Sequence, residues 1–191
     1  MSFFFGFFPD ENTNYKIRKV VGEVGRVFAD FQIPVRWSKP ETFHMTVLYV
    51  GENLSFFRRL IWRFRLKTIC FTPFKVSFNT VKLGISRKYK ELVYLDTKDG
   101  GDVMRVILLD MRKALKLKDE GNFVPHLTLG RVSKDLSDEE YSNLCKDLAV
   151  VAKGLDIEKI EFYVNDIKLI KSSGDNYSVL MNLVDLSKTK S

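Results

Sequence analysis

Two segments of this chain repeat one short pattern, and the repeat limits what the chain can fold into. His44-Met45-Thr46-Val47-Leu48 and His126-Leu127-Thr128-Leu129-Gly130 each read histidine, apolar, threonine, apolar. Each sits in a strand-prone run that follows a proline-containing turn. Successive side chains of a strand point to opposite faces, so each histidine shares a face with its own threonine. The chain has 2 histidines in all, and 9 threonines among its 191 residues, so finding Thr at both matching positions by chance is rare. A helical stripe precedes each of these strands: Ile17, Val20, Val21, Val24, Val27, Phe28 and Phe31 before the first, Met104, Ile107, Leu108, Met111 and Leu115 before the second. A chain built this way has two similar halves of mixed helix and strand. With no linker or low-complexity stretch between them, residues 1–191 read as one domain.

The remaining pattern fills in an α+β order. Ser2 to Phe8 is aromatic-rich and reads as an opening strand, and Val35 to Trp37 as a short extended piece. Leu54 to Leu66 mixes apolar residues and arginines at helical spacing, which predicts a helix with a basic face. Phe71 to Leu83 and Leu92 to Thr97 alternate like strands, with a basic turn from Gly84 to Glu91 between them. Ser137 followed by Glu140 has the spacing of a capping box at the start of a helix, which the stripe Tyr141, Leu144, Cys145, Leu148 and Ala152 continues. Ile160 to Ile170 and Tyr177 to Val184 flank a turn at residues 172–176 and predict a closing hairpin.

Charge narrows the partner. The chain carries +7, and from Asn53 to Lys90 it has ten bases and no acid, so the rest is slightly acidic. A basic surplus favours anionic partners. This segment either follows a nucleic-acid backbone or solvates one helix face and two strands. Cys70 and Cys145 have apolar neighbours and read as buried thiols of a reducing compartment. The short apolar run at the N-terminus lacks the flanks of a signal peptide and the length of a membrane span. The expectation is a cytoplasmic protein with no membrane partner. No clustered His/Cys pattern suggests a metal site.

Two histidines near neutrality can divide proton work, one taking a proton while the other gives one. Two threonine hydroxyls beside them can hydrogen-bond an anion. No Cys, Asp or Glu repeats in the same register, which argues against a nucleophilic triad. The set suits phosphodiester chemistry, and a strained 2′,3′-cyclic phosphate needs only an activated water and a protonated leaving oxygen.

These residues resemble the two signature motifs of the 2H phosphoesterase superfamily. Within it, His44-x-Thr46 and Pro125-His126-x-Thr128-Leu129-Gly130-Arg131 are most similar to the RNA 2′,3′-cyclic phosphodiesterases, also named 2′-5′ RNA ligases. The resemblance extends to the aromatic opening Phe3-Phe4-Phe5-Gly6-Phe7, the lead-in Val35-Arg36-Trp37 with Pro40, Glu41 and Phe43, and the exit Gly51-Glu52. It implies a bilobal α+β fold whose two pseudo-symmetric halves offer antiparallel sheets to a central cleft. It also implies a monomer that hydrolyses cyclic phosphate ends of RNA to 2′-phosphates without metal or cofactor. In that scheme one histidine is the base and the other the acid; we take His126 as base and His44 as acid, an order the sequence does not fix. Thr46, Thr128 and Arg131 bind the phosphate, and Phe4 stacks on a base. Strict alternation puts Arg131 on the face opposite His126, so it reaches the cleft only through a bulge near Gly130; otherwise it is an exposed strand-end arginine. Tyr177 is a further candidate for the cleft wall, and a core role is the alternative for both Phe4 and Tyr177. The same chemistry run backward gives 2′-5′ ligation as a weak side activity. Other readings are a phosphodiesterase acting on 2′-5′ oligoadenylate or another nucleotide cyclic phosphate, and a non-catalytic RNA-binding module.

Overall fold

The computed structural model describes residues 1–85, 90–118, 123–174 and 176–184. Arg87 and Lys88, the middle of the expected Gly84–Glu91 turn, and Asp175 of the closing hairpin lie outside the described residues.

The first half is built by β1 (Ser2–Phe7), α1 (Glu11–Asp30), β2 (Val35–Trp37) and β3 (Met45–Gly51). Asp10 caps α1 by accepting from the Thr13 backbone N–H at 2.7 Å. Of the expected stripe, Ile17, Val20, Val24, Val27 and Phe28 are buried, but Val21 is only partly buried and Phe31, which lies past the last turn as the C-cap, is exposed. The helix stops before Pro34 is reached, because Gln32 turns left-handed at φ 53°. Helix α2 (Phe56–Arg65) follows, then β4 (Phe74–Leu83) and β5 (Leu92–Asp99). Only Trp62 of α2 is buried, and Leu66 just beyond it; each side chain contributes roughly 1.5–3 kcal/mol to holding this helix down. Strand β4 begins at Phe74, three residues later than alternation suggests, because Pro73 has no N–H to give to a ladder.

The second half runs through α3 (Gly101–Leu115), β6 (His126–Val132) and α4 (Asp138–Lys153), then β7 (Glu161–Val164), β8 (Asp166–Ser173) and β9 (Asn176–Val184). The Ser137/Glu140 capping box forms in full, with both reciprocal bonds present. The run from Ile160 to Ile170, expected as one strand, divides at Asn165. Its first part pairs with β4 and its second with β1, so one extended run serves two neighbours.

The strands form a single sheet in the order β7-β4-β5-β6-β3-β1-β8-β9, with β2 added beside β6. All the pairings are antiparallel. The two halves meet where β3 and β6 pair through Met45 and Leu127. Because β7 and β8 are one residue apart in the chain yet far apart in strand order, the sheet has to curl back on itself. The helices and core lie on one face: Phe5 and Phe7 of β1 join one buried cluster with α1, α3, α4 and the inward residues of β3 and β6. Phe4 is buried but stands outside that cluster, on the other face.

Gly6 is required where β1 meets β3, since a Cβ there would run into the Met45 carbonyl oxygen. The cysteine expectation needs correction for Cys70, which is exposed, while Cys145 is half-buried; both are free thiols. Cys70 lies between α2 and β4, in a segment outside any periodic pattern, so its apolar neighbours say little about its own burial. No helix among the described residues is long and apolar enough to cross a membrane.

Candidate active site

Each histidine is fixed by the same local device. His44 directly precedes β3, behind a turn at Pro40–Thr42, and its Nδ1 donates to the Thr42 carbonyl at 2.7 Å. His126 opens β6 behind Pro125, and its Nδ1 donates to the Val124 carbonyl at 2.8 Å. A carbonyl oxygen only accepts, so Nδ1 carries the hydrogen in both rings and Nε2 is the nitrogen left for other chemistry. The carbonyl two residues back thus selects one tautomer twice.

The strands then break their alternation at the same place. On β3, Phe5 pairs with Leu48 and Gly6 with Thr46, leaving Val47 as an extra residue. On β6, Val93 pairs with Gly130 and Tyr94 with Thr128, leaving Leu129 extra. A bulge re-aims the residues beyond it. In both strands the residue after Thr and the one following are buried, and the next, Tyr49 or Arg131, is exposed. The bulge at Leu129 is what turns Arg131 to the side of His126 and Thr128. Arg131 there donates to Glu91 at 3.0 Å.

One cavity of about 310 Å³ collects these residues: His44, Thr46, His126, Thr128 and Arg131 all line it, as does Phe4. Arg36, Tyr49 and Tyr177 line it too. Arg36 and Tyr49 carried no role in the motif reading. A signal for Arg36 existed: it lies in the short extended piece that pairs with β6, directly across from Arg131. Tyr177, for which a core place was the alternative, stands edge-on to His44 with ring centroids 5.2 Å apart. Phe4 lies 4.7 Å from the His44 ring and is only 4% exposed, so most of its ring face is already covered.

The two rings differ in surroundings. His44 is enclosed by Phe4, Phe8 and Tyr177. His126 has Tyr94 edge-on at 5.4 Å, with Arg131 and Asp96 as charged neighbours. Burial lowers both pKa values below the ordinary 6.5, and the carbonyl bonds oppose this in part. The Arg131 charge lowers His126 further while Asp96 raises it. Charge on His126 also lowers His44, so a proton on one ring disfavours a proton on the other. One charged and one neutral imidazole beside two hydroxyls is an arrangement able to give and take a proton across a bound anion. Among the described residues no group of three His, Cys, Asp or Glu side chains is placed to hold a metal ion.

No family model matches the chain. Among curated proteins it is similar to the RNA 2′,3′-cyclic phosphodiesterase of Aquifex aeolicus, 23% identical over 192 residues that cover 95% of this chain and 94% of that protein. It is also similar to the RNA 2′,3′-cyclic phosphodiesterase of Archaeoglobus fulgidus, 28% identical over 127 residues, 65% of this chain and 69% of that protein. Its fold matches solved structures across nearly the whole chain. E. coli LigT complexed with 3′-AMP superposes with a TM-score of 0.69 at 14% identity, covering 95% of each chain. Kluyveromyces marxianus Usb1 with uridine monophosphate gives 0.62 at 12% identity, covering 94% of this chain and 96% of that one. The expected α+β fold of two halves facing a cleft is therefore the observed one, with both halves carried by one curled sheet.

Proposed function

We infer that this relative of the RNA 2′,3′-cyclic phosphodiesterases, with the fold of the LigT-type 2H phosphoesterases, hydrolyses 2′,3′-cyclic phosphate ends of RNA to 2′-phosphates without a metal ion. The observation that carries the reading is the pair of histidines, each with Nδ1 tied to the carbonyl two residues back, in one cavity with two threonines and Arg131. The cyclic phosphate sits between the halves, its oxygens held by the Thr46 and Thr128 hydroxyls and by Arg131. His126 takes a proton from water through Nε2 as the water oxygen bonds to phosphorus. The bond from phosphorus to the ribose 3′ oxygen breaks, and His44 gives that oxygen its Nε2 proton.

The surroundings support this division. Burial, and after it the Arg131 charge, lower the His126 pKa, which favours the neutral ring a base needs. Phe4 and Tyr177 beside His44 offer a cation aromatic rings. The base next to the phosphate meets Tyr49, Tyr177 or Phe4 on the cavity wall. The protein acts as a monomer, both motifs being on one chain, and a cytoplasmic setting fits its free thiols.

The test is turnover of an oligonucleotide ending in a 2′,3′-cyclic phosphate, with EDTA present. A 2′-5′ oligoadenylate and a mononucleoside cyclic phosphate run in parallel. Turnover of the cyclic end that survives EDTA and is lost in H44A and H126A supports the reading. Turnover only of the 2′-5′ linkage reassigns the substrate. RNA binding without turnover of any substrate overturns the enzymatic reading.

A further inference from the structure

Helix α2 is amphipathic the wrong way round for a globular protein. At about 100° per residue, Phe56, Leu60, Phe64, Phe57 and Ile61 fall on one arc of about 140°. Trp62 and Leu66, the residues that anchor the helix, lie opposite that arc and are 2% and 1% exposed. The apolar arc therefore points into solvent: Phe57 is 75% exposed, Phe56 63%, Phe64 62% and Ile61 50%. Arginines border it on both sides, Arg59 and Arg63 along one edge, Arg58 and Arg65 along the other. Among the described residues no carboxylate pairs with any of the four. Next to the helix a cavity of about 640 Å³ opens toward β9, with Leu60 and Leu180 in its wall and Arg59, Arg63 and Lys67 beside them.

We propose that α2 is a membrane-surface anchor that lies in the headgroup layer of an anionic bilayer. An interfacial helix needs an outward apolar stripe rich in large side chains and cations along its flanks to meet lipid phosphates. Each of these is present. A second copy of the chain is disfavoured, since it would bring the same four arginines face to face. RNA is disfavoured by position. Trp62 packs against Phe5, with tilted rings whose centroids are 6.2 Å apart, on the core face of β1. Phe4, the residue before Phe5, faces the histidine cavity on the other side. A strand of RNA held in the cavity is thus separated from α2 by the sheet. The basic segment that began as a candidate RNA track is, at α2, a lipid-facing surface. The expectation of no membrane partner rested on the lack of a spanning segment, and a surface helix does not need one. This inference stands apart from the catalytic reading.

Flotation of the full chain with lipid vesicles tests it, comparing phosphatidylcholine alone with phosphatidylcholine containing about 30% phosphatidylglycerol. Binding to the anionic vesicles alone is expected, weakening at high salt. Replacing Phe57 and Phe64 by Ser should abolish it. R58Q/R63Q should weaken partitioning about twentyfold or more, at about fivefold per arginine. All four positions are exposed, so both variants should keep the wild-type melting temperature and turnover of a soluble cyclic nucleotide. Equal binding to both vesicles, no binding, or undiminished binding by F57S/F64S overturns the proposal. So does a loss of single-stranded RNA binding, or of self-association, in that variant without any vesicle binding by the wild type.

Discussion

His44 and His126 share a backbone tether but not a neighbourhood, and the difference is testable residue by residue. Alanine at either position should lower turnover by about 10² to 10⁴ with little change in folding, read from kcat and a melt on the same samples. Replacing Arg131 with Met removes the charge that lowers His126, so the His126 pKa should rise. The acidic limb of kcat/KM should then move to higher pH, and the ring proton resonance of His126 should titrate later than in the wild type. Burial lowers both histidines, so the unfolded chain binds more protons than the native one between the lowered values and 6.5. Stability is therefore full above about pH 6.5 and declines as pH falls below it, and His44→Gln should flatten that decline in a series of urea melts. The histidines and threonines were legible because strand alternation ties each pair to one face. Arg131 was legible only as a condition, since whether a bulge forms depends on the partner strand. Tyr177 was legible only as one of two places, cleft or core, because nothing local to its hairpin says that β8 and β9 continue the sheet beside β1.

At the scale of elements, the sequence was clearest where a cap and a stripe coincide. The Ser137 box and the stripe of α4 agree with the observed helix, and Ser137→Ala should cost about 1 kcal/mol, seen as a fall of a few degrees in Tm. Strand ends were less legible, because they depend on neighbours: β4 waits for Phe74 behind Pro73, and the run through Asn165 divides between two partners. Gly6 shows the same dependence. Its sequence position says only that a strand is interrupted, whereas its reason is the Met45 carbonyl across the ladder. Gly6→Ala should force β1 and β3 apart and destabilise the fold by roughly 1–3 kcal/mol in chemical denaturation. Because Gly6 pairs with Thr46, the same change should raise KM for the cyclic phosphate.

Seen whole, the molecule sets β1, α1 and β3 against β5, α3 and β6 as equivalent units, and the cavity lies where β3 and β6 come together. A phosphate held by Thr46 and Thr128 would join the halves, so a 2′-phosphorylated nucleoside should raise Tm. At a hundredfold excess over Kd the gain is about 2.7 kcal/mol, and it should vanish in T46V/T128V. The duplication was visible in the sequence, but the exchange of strands was not: the half that begins with β1 is completed by β8 and β9 from the far end of the chain. That exchange has a temporal consequence. On a ribosome β1 emerges before its neighbour β8 exists, and it cannot be fully paired until Asp166–Ser173 has been made. Folding must then close the longest loop in the molecule, which favours slow acquisition of the native state. Until it closes, the Phe-rich opening strand has one bare edge, which makes this the stage of the protein's life most exposed to aggregation or to chaperone capture.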